Sequence, residues 1–115
     1  MGERLRPLPR DREADDVATL RIDLQGGFEN DTVELLVDEE LRWREEAVTT
    51  NLSIDLAASV PLDVPEGPAD VRIVLPDRGI EQTVEALVAG EAYVVARVEG
   101  GRLVVEQLAE APYYL

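Results

Sequence analysis

The chain has 115 residues, a formal net charge of −14, and neither cysteine nor histidine. It is long enough to bury one hydrophobic core, and 45% of its residues are apolar, so its composition predicts a single globular domain. The missing residue types exclude disulfides, zinc–thiolate sites, cysteine nucleophiles and histidine general bases.

The acidic charge is concentrated in the part of the chain after residue 16. Residues 1–16 carry a net charge of −1, whereas residues 17–115 contain seven arginines and twenty acidic residues, a net charge of −13. Such a surface repels phosphate backbones and anionic lipids, so we expect no nucleic acid and no membrane as partners. No apolar run is long enough for a membrane span or a signal core, which predicts a cytoplasmic protein.

The beginning of the chain differs from the rest in its pattern. Residues 1–15 mix charges with two prolines and show no sustained apolar period, which predicts a flexible tail before a single domain over residues 16–115. Alternation then starts, with Leu20, Ile22 and Leu24 at every second position, as in a half-buried strand.

A second strand is predicted over residues 32–37, and the following segment, residues 38–47, allows two interpretations. Asp38 is a good helix N-cap with two glutamates behind it, which favours a helix. A hairpin instead pairs Val37 with Leu41 across a tight connection, and we favour this hairpin while the helix stays the alternative.

The third strand contains the single tryptophan of the chain. Trp43 alternates in phase with Leu41 and Ala47, so we expect these three side chains to face inward. In this interpretation Trp43 is the largest filler of the core, and the alternative is an exposed binding platform.

The clearest alternation lies in residues 52–64. Its apolar positions recur at every second residue and its other positions are small or polar, a pattern that no helix produces. We therefore predict a long strand with a bend near residues 57–59, and Pro61 places its second half at a sheet edge or at a switch between sheets, because proline cannot donate to a ladder. The apolar positions are Leu52, Ile54, Leu56, Ala58, Val60, Leu62 and Val64.

The rest of the chain continues as short strands separated by turn residues. Gly100 and Gly101 form the strongest hairpin signal in the sequence. Together the elements predict an all-β fold, an antiparallel two-sheet β-sandwich of seven to eight strands. The later strands are expected at residues 71–75, 80–88, 93–99 and 102–108, and the turns at residues 66–68, 76–79, 89–91 and 100–101.

This arrangement resembles a loose group of small bacterial β-sandwich proteins without assigned function, and its layout is similar to transthyretin-like and immunoglobulin-like sandwiches. The resemblance implies a sandwich over residues 17–115 and brings no catalytic residue with it. One departure is the connection after Val37, where a glycine turn is expected and an Asp-Glu-Glu sequence stands. The stretches that carry the resemblance are residues 30–35, residues 47–52, the turn before Val71, and residues 112–115 (PYYL).

Catalysis in this chain would have to depend on carboxylates. The two serines, Ser53 and Ser59, have no histidine to activate them, so we predict no enzyme, no catalytic residues and no cofactor. Oxygen-rich loops suit a hard cation such as calcium, although none has the spacing of an EF-hand loop, and polar turn residues need no metal. The acidic loop groups are residues 29–31, residues 38–40, and Asp63 with Glu66 and Asp70.

Interaction with another protein is the leading functional hypothesis. A sandwich has unpaired edge strands that can accept a strand from a partner or from a second copy. The apolar C-terminal residues Tyr113, Tyr114 and Leu115 are the candidate interaction residues, with folding back onto their own sheet as the favoured alternative. We therefore predict a non-enzymatic interaction or self-assembly module, and a calcium-linked module that binds carbohydrate or a small ligand is the alternative.

Overall fold

The computed structural model describes residues 17–112, and the predictions for residues 1–15 and for Tyr113, Tyr114 and Leu115 lie outside that range. Strands make up the regular structure of the described residues, and no helix among them could span a membrane. The eight strands are β1 (Val17–Leu24), β2 (Asp31–Val37), β3 (Glu40–Val48), β4 (Ala58–Pro65), β5 (Gly67–Leu75), β6 (Ile80–Val88), β7 (Glu91–Glu99) and β8 (Arg102–Leu108).

The strands form two four-stranded sheets, with the orders β4-β1-β7-β8 and β3-β2-β5-β6. Alternate side chains of both sheets point into one shared core, because a strand directs successive residues to opposite faces. The predicted all-β fold with two sheets and seven to eight strands is therefore confirmed. Fully buried members of the core include Leu20, Ile22, Leu35 and Ile73.

The prediction that every strand is antiparallel to its neighbours is wrong for one pair. β1 and β7 run parallel, from Thr19 opposite Glu91 to Leu24 opposite Ala96. The connection after β6 crosses from the second sheet to the first, so β7 enters beside the start of β1 and runs in the same direction. The N–H of Thr19 donates to the carbonyl oxygen of Gly90 over 3.0 Å, which fixes this entry point.

The hairpin predicted after β2 is confirmed, and the alternative helix is absent from the described chain. Asp38 and Glu39 form its two-residue turn with φ values of 51° and 69°, a left-handed turn that usually contains glycine. Asp38 is held by two hydrogen bonds with Asp70, one through its N–H (2.8 Å) and one through its carboxylate (2.9 Å). The closing pair is Val37 with Glu40, so the predicted pairing of Val37 with Leu41 is wrong by one residue.

A β-bulge in the β2–β3 pair changes which side chains of β3 face inward. The register shifts between Leu35 and Leu36, and after such a shift the inward phase of a strand is reversed. Leu41 is consequently 52% exposed. A second register shift, between Asp31 and Val33, lies beside Ala47, which is also exposed, so both predictions of burial are wrong. Trp43 is half-buried and packs against the core, which agrees with its predicted role as a filler.

The long strand predicted over residues 52–64 is only half right. Its second part is β4, on which Val60, Leu62 and Val64 are buried, whereas its first part is a tight turn and Leu52 is 89% exposed. The carbonyl of Asn51 accepts the N–H of Asp55 (2.8 Å), and the Asn51 side chain accepts the N–H of Ser53 (3.0 Å). The Asn, Ser and Asp side chains that resembled the polar face of a strand are therefore turn formers.

Three further predictions about turns and edges are confirmed. Pro61 lies on β4, which is an edge strand of its sheet. The residues between Leu75 and Ile80 form the turn of the β5–β6 hairpin. Gly100 and Gly101, both with positive φ, connect β7 and β8 as the expected two-residue hairpin turn.

Candidate functional site

A strongly bonded polar cluster lies where the β1–β2 loop meets the β5–β6 turn. The guanidinium of Arg78 donates to both carboxylate oxygens of Asp31, each over 2.8 Å, and also to the carbonyl of Gly27 over 3.0 Å. Asp31 is only 3% exposed and accepts a further bond from the N–H of Glu29 over 2.8 Å. With both oxygens bonded inside the protein, this carboxylate joins two loops.

The ionisation of Asp31 follows from these contacts. Burial alone raises the pKa of a carboxyl group, but the hydrogen bonds from Arg78 and Glu29 and the positive charge of Arg78 outweigh it and lower the pKa of Asp31. The same hydrogen bond raises the pKa of Arg78. Both groups are therefore charged at neutral pH, which suits a structural ion pair.

The three acidic loop groups do not gather into a cation site in the structure. Within residues 17–112, no set of three or more potential ligands is placed to hold a metal ion. Besides Asp31, the carboxylate of Asp38 accepts the N–H of Asp70 over 2.9 Å, and the carboxylate of Glu66 accepts the N–H of Gly90 over 3.0 Å. These carboxylates act as hydrogen-bond acceptors for the backbone.

Ser59 also has a structural partner. Its hydroxyl donates to the carboxylate of Asp23 over 2.6 Å, and Asp23, which is 1% exposed, also accepts two hydrogen bonds from Arg21. A hydroxyl that donates to a carboxylate across two paired strands stabilises the β1–β4 ladder, as Thr and Ser do in cross-strand pairs.

The four edge strands differ in how far they could accept another strand, and β4 is well protected. The guanidinium of Arg42 donates to the carbonyl of Asp63 over 2.8 Å, so the backbone of Asp63 faces the free edge. Backbone direction alternates along a strand, so Pro61 and Pro65 face the same edge, and neither has an N–H to offer.

The edge of β3 is protected by distortion and by charge. Two register shifts interrupt its ladder with β2, and Ala47 has a φ of 59°, so the strand presents no regular row of donors and acceptors. Its exposed side chains are mostly charged: Glu40, Arg44, Glu45 and Glu46.

The edge of β6 is partly capped by side-chain amides. The amide of Gln107, on β8, accepts the N–H of Leu87 over 3.0 Å and donates to the carbonyl of the same residue over 2.8 Å. This pair of bonds imitates an added strand and joins the two sheets at one end. Further along, the side chain of Gln82 accepts the N–H of Thr83 over 3.2 Å.

The first half of β8 has no proline, bulge or side-chain amide at its edge, and its charged residues lie only at its ends. The two-residue turn makes Glu99 and Arg102 a hydrogen-bonded pair, and alternation then directs the backbone groups of Leu103 and Val105 away from β7. Their β7 partners confirm this phase, since the N–H of Val98 and the carbonyl of Ala96 bond to the β1–β2 loop instead. β8 therefore presents regular, unblocked backbone groups at its free edge.

This free edge opens into a groove of about 620 Å³ between the first halves of β6 and β8. The groove walls include Ile80, Glu81 and Gln82 on one side and residues 101–105 on the other. It closes at the far end, where Gln107 bonds to β6. We refer to residues 102–106 as the free segment of β8.

Arg102 gives the free segment a charge without a partner. The other six arginines of residues 17–112 each make an ion pair or a hydrogen bond, whereas Arg102 makes neither. At the other end of the free segment, the side chain of Glu106 is 54% exposed and lies 3.5 Å from the guanidinium of Arg97. That guanidinium is closer to Glu99, at 2.6 Å. Both ends of the free segment can accept a further charged partner.

A second concave surface lies beside the turn at residues 51–56 and is smaller, at about 270 Å³. Its polar groups are already bonded to one another: the N–H of Phe28 donates to the hydroxyl of Thr50 over 3.0 Å, and that hydroxyl donates to the carbonyl of Gln25 over 2.6 Å. It offers the exposed Leu52 as an apolar contact but no open backbone edge.

Sequence reasoning placed the candidate interaction residues at Tyr113, Tyr114 and Leu115, which lie outside the described residues, and it missed the free segment. The available signal was the run of Leu103, Val104 and Val105, three aliphatic residues without a charge after a glycine turn. Residues 92–96 and 86–89 form similar uncharged runs, so the sequence alone does not distinguish this strand from the others. Comparisons of this chain with protein-family models, with curated proteins and with solved structures find no match.

Proposed function

We propose that this domain is a non-enzymatic protein-interaction module that accepts an extended protein segment along the free segment of β8. The observation that carries the proposal is the contrast between the edges. Proline blocks β4, bulges and charges block β3, and side-chain amides cap part of β6, whereas β8 offers the open backbone groups of Leu103 and Val105. An added strand gains affinity from such groups and specificity from the side chains beside them.

The surrounding chemistry supports a binding role over catalysis. The strongly bonded carboxylates, Asp23 and Asp31, are buried and bonded to arginines, and Ser59 donates its hydroxyl to Asp23. The sandwich then acts as a rigid frame that holds one strand edge in the open. We include an immunoglobulin-like or transthyretin-like arrangement in this proposal, with which two sheets of four strands are compatible.

A displayed library of random peptides tests the proposed edge. Selection against the wild-type chain at low protein concentration should enrich peptides that bind it, and Val104→Lys should weaken their binding at least tenfold, because a charge at the centre of the free segment opposes strand addition. Leu41→Lys is the matched control, since it places the same charge at an aliphatic residue on the edge strand β3. Binding should be measured by titration with the enriched peptides.

The outcomes separate clearly. Loss of binding in Val104→Lys with retention in Leu41→Lys supports the edge of β8 as the binding site. Failure to enrich any peptide, or equal binding by both variants, would show that the proposed site is wrong. A melting curve for each variant checks that it is folded; Leu41→Lys, at an exposed residue, should cost below about 0.5 kcal/mol.

A further inference from the structure

We propose that the segment accepted by β8 is the β8 strand of a second copy of this chain, in an antiparallel pair around a two-fold axis at Val104. This inference rests on the proposed function, because it names the partner of the same edge. A two-fold axis brings the same patch of both copies together, so the patch must be complementary to itself. The free segment meets that requirement in its backbone, its charges and its apolar residues.

The backbone phase permits this register. With Val104 opposite Val104 of the second copy, Leu103 lies opposite the second copy's Val105, and the reverse pair forms on the other side of the axis. Leu103 and Val105 are the residues whose backbone groups face the free edge. They therefore become the hydrogen-bonded pairs of the new ladder, and the two Val104 residues become a closer, non-hydrogen-bonded pair.

The charges select this register over its neighbours. With the axis at Val104, Arg102 lies opposite Glu106 of the second copy on the outer face of the sheet, and the same pair repeats on the other side. A shift of the axis to Leu103 places Arg102 opposite a valine, and a shift to Val105 places Glu106 opposite a valine. Opposite charges across a strand pair stabilise it by about 0.2–1 kcal/mol each.

The ends of the free segment limit the length of the pair. Glycines precede Arg102, and after Glu106 the side chain of Gln107 is bonded to β6. Val104 is the central residue of the five that remain, so the position of the axis follows from the shape of the edge. Because the contact is short and each copy has a charge of −14, we expect a weak dimer that forms at concentrations on the order of 0.1 mM at physiological ionic strength.

Charge exchange tests the pairing. Sedimentation equilibrium of the wild type should show a monomer–dimer equilibrium, which Arg102→Glu and Glu106→Arg should each shift toward monomer at least fivefold, because each change places like charges opposite one another twice. The double variant Arg102→Glu/Glu106→Arg should restore dimerisation. Arg44→Glu on β3 changes the net charge as Arg102→Glu does and should leave the equilibrium within twofold.

An engineered cysteine gives a second measurement that is independent of charge. The chain contains no cysteine, and Val104→Cys places one residue opposite itself across the axis, at a Cα separation of about 4.5 Å that suits a disulfide. Mild oxidation at 0.1 mM should give a covalent dimer at least five times faster than for Leu41→Cys, a matched aliphatic residue on the β3 edge. A melting curve for each variant checks that it is folded.

The results distinguish this inference from the proposed function. Dimerisation that is lost by single reversal, restored by the double variant and trapped by Val104→Cys supports the pair. A wild type that stays monomeric to 1 mM, or single reversals that leave dimerisation unchanged, overturns the pairing at Val104. If library peptides still bind the edge of such a monomer, the proposed function stands with another partner; if none bind, both proposals are wrong.

Discussion

Gly27→Ala is expected to destabilise the fold by about 3 kcal/mol or more, which lowers the melting temperature by about 15 °C. Gly27 has a φ of +89°, and a Cβ atom there would overlap the backbone carbonyl of Val98 on β7. The loop that contains Gly27 also bonds to Val98, whose N–H donates to the carbonyl of Gly26 over 2.9 Å. The overlap therefore forces the β1–β2 loop away from the sheet that it closes.

The matched control for this change is Gly90→Ala. Gly90 has a similar φ of +72°, but nothing lies within 4 Å of a Cβ added there. Its substitution therefore reports the backbone strain alone, about 1 kcal/mol. Thermal and urea unfolding measure both variants, and equal losses for Gly27→Ala and Gly90→Ala would contradict the close packing of the loop against β7.

Asp31→Ala is expected to cost about 3 kcal/mol, because it removes three hydrogen bonds and leaves Arg78 without its ion-pair partner. The side chain of Arg78 is 31% exposed, so water compensates part of the loss. Glu46→Ala is the control: that carboxylate is 71% exposed and lies 3.4 Å from Arg44, and its removal should change the free energy of unfolding by below about 0.5 kcal/mol.

The contribution of the Asp31–Arg78 ion pair to stability depends on pH. The pKa of Asp31 is lower in the folded protein than in the unfolded chain, because the bonds from Arg78 and Glu29 outweigh the effect of burial. The stabilisation is therefore complete above the unfolded pKa, about 4, and is lost as the pH falls through the folded pKa. The stability difference between wild type and Asp31→Ala should be constant between pH 5 and 7 and shrink below about pH 4. A difference that stays unchanged at pH 2 would contradict the ion pair.

The alternation of apolar and polar residues predicted most of the strands, because a strand directs successive side chains to opposite faces and this pattern is visible within a few residues. The sequence-based prediction was wrong where the pattern within a single strand does not decide the outcome. The parallel pairing of β1 with β7 depends on the crossing after β6, which no local pattern encodes. The bulge in β3, which exposes Leu41, depends on the packing of β2 and β3 against each other.

Residues 51–56 show a second reason for error. Leu52, Ile54 and Leu56 keep the period of a strand, yet Asn51 starts a turn whose hydrogen bonds stabilise the segment locally. Such local hydrogen bonds compete with the hydrogen bonds of a β-ladder. The apolar period of the sequence alone does not decide whether the segment forms a turn or a strand. The candidate site was missed for a related reason, because the exposure of β8 at an edge depends on strand order. Only the absence of charge from Leu103 to Val105 was visible in the sequence.

Hydrogen exchange at the amides of β8, measured by NMR across protein concentration, tests the free edge most directly. Val104 and Glu106 donate to β7 and should exchange slowly at every concentration, whereas Leu103 and Val105 should exchange rapidly at 10 µM and become at least fivefold slower near 1 mM. This alternating response reports strand addition at the edge and nothing else in the fold. Fast exchange of Leu103 and Val105 at all concentrations would contradict pairing with a second copy. Slow exchange at all concentrations would contradict a free edge.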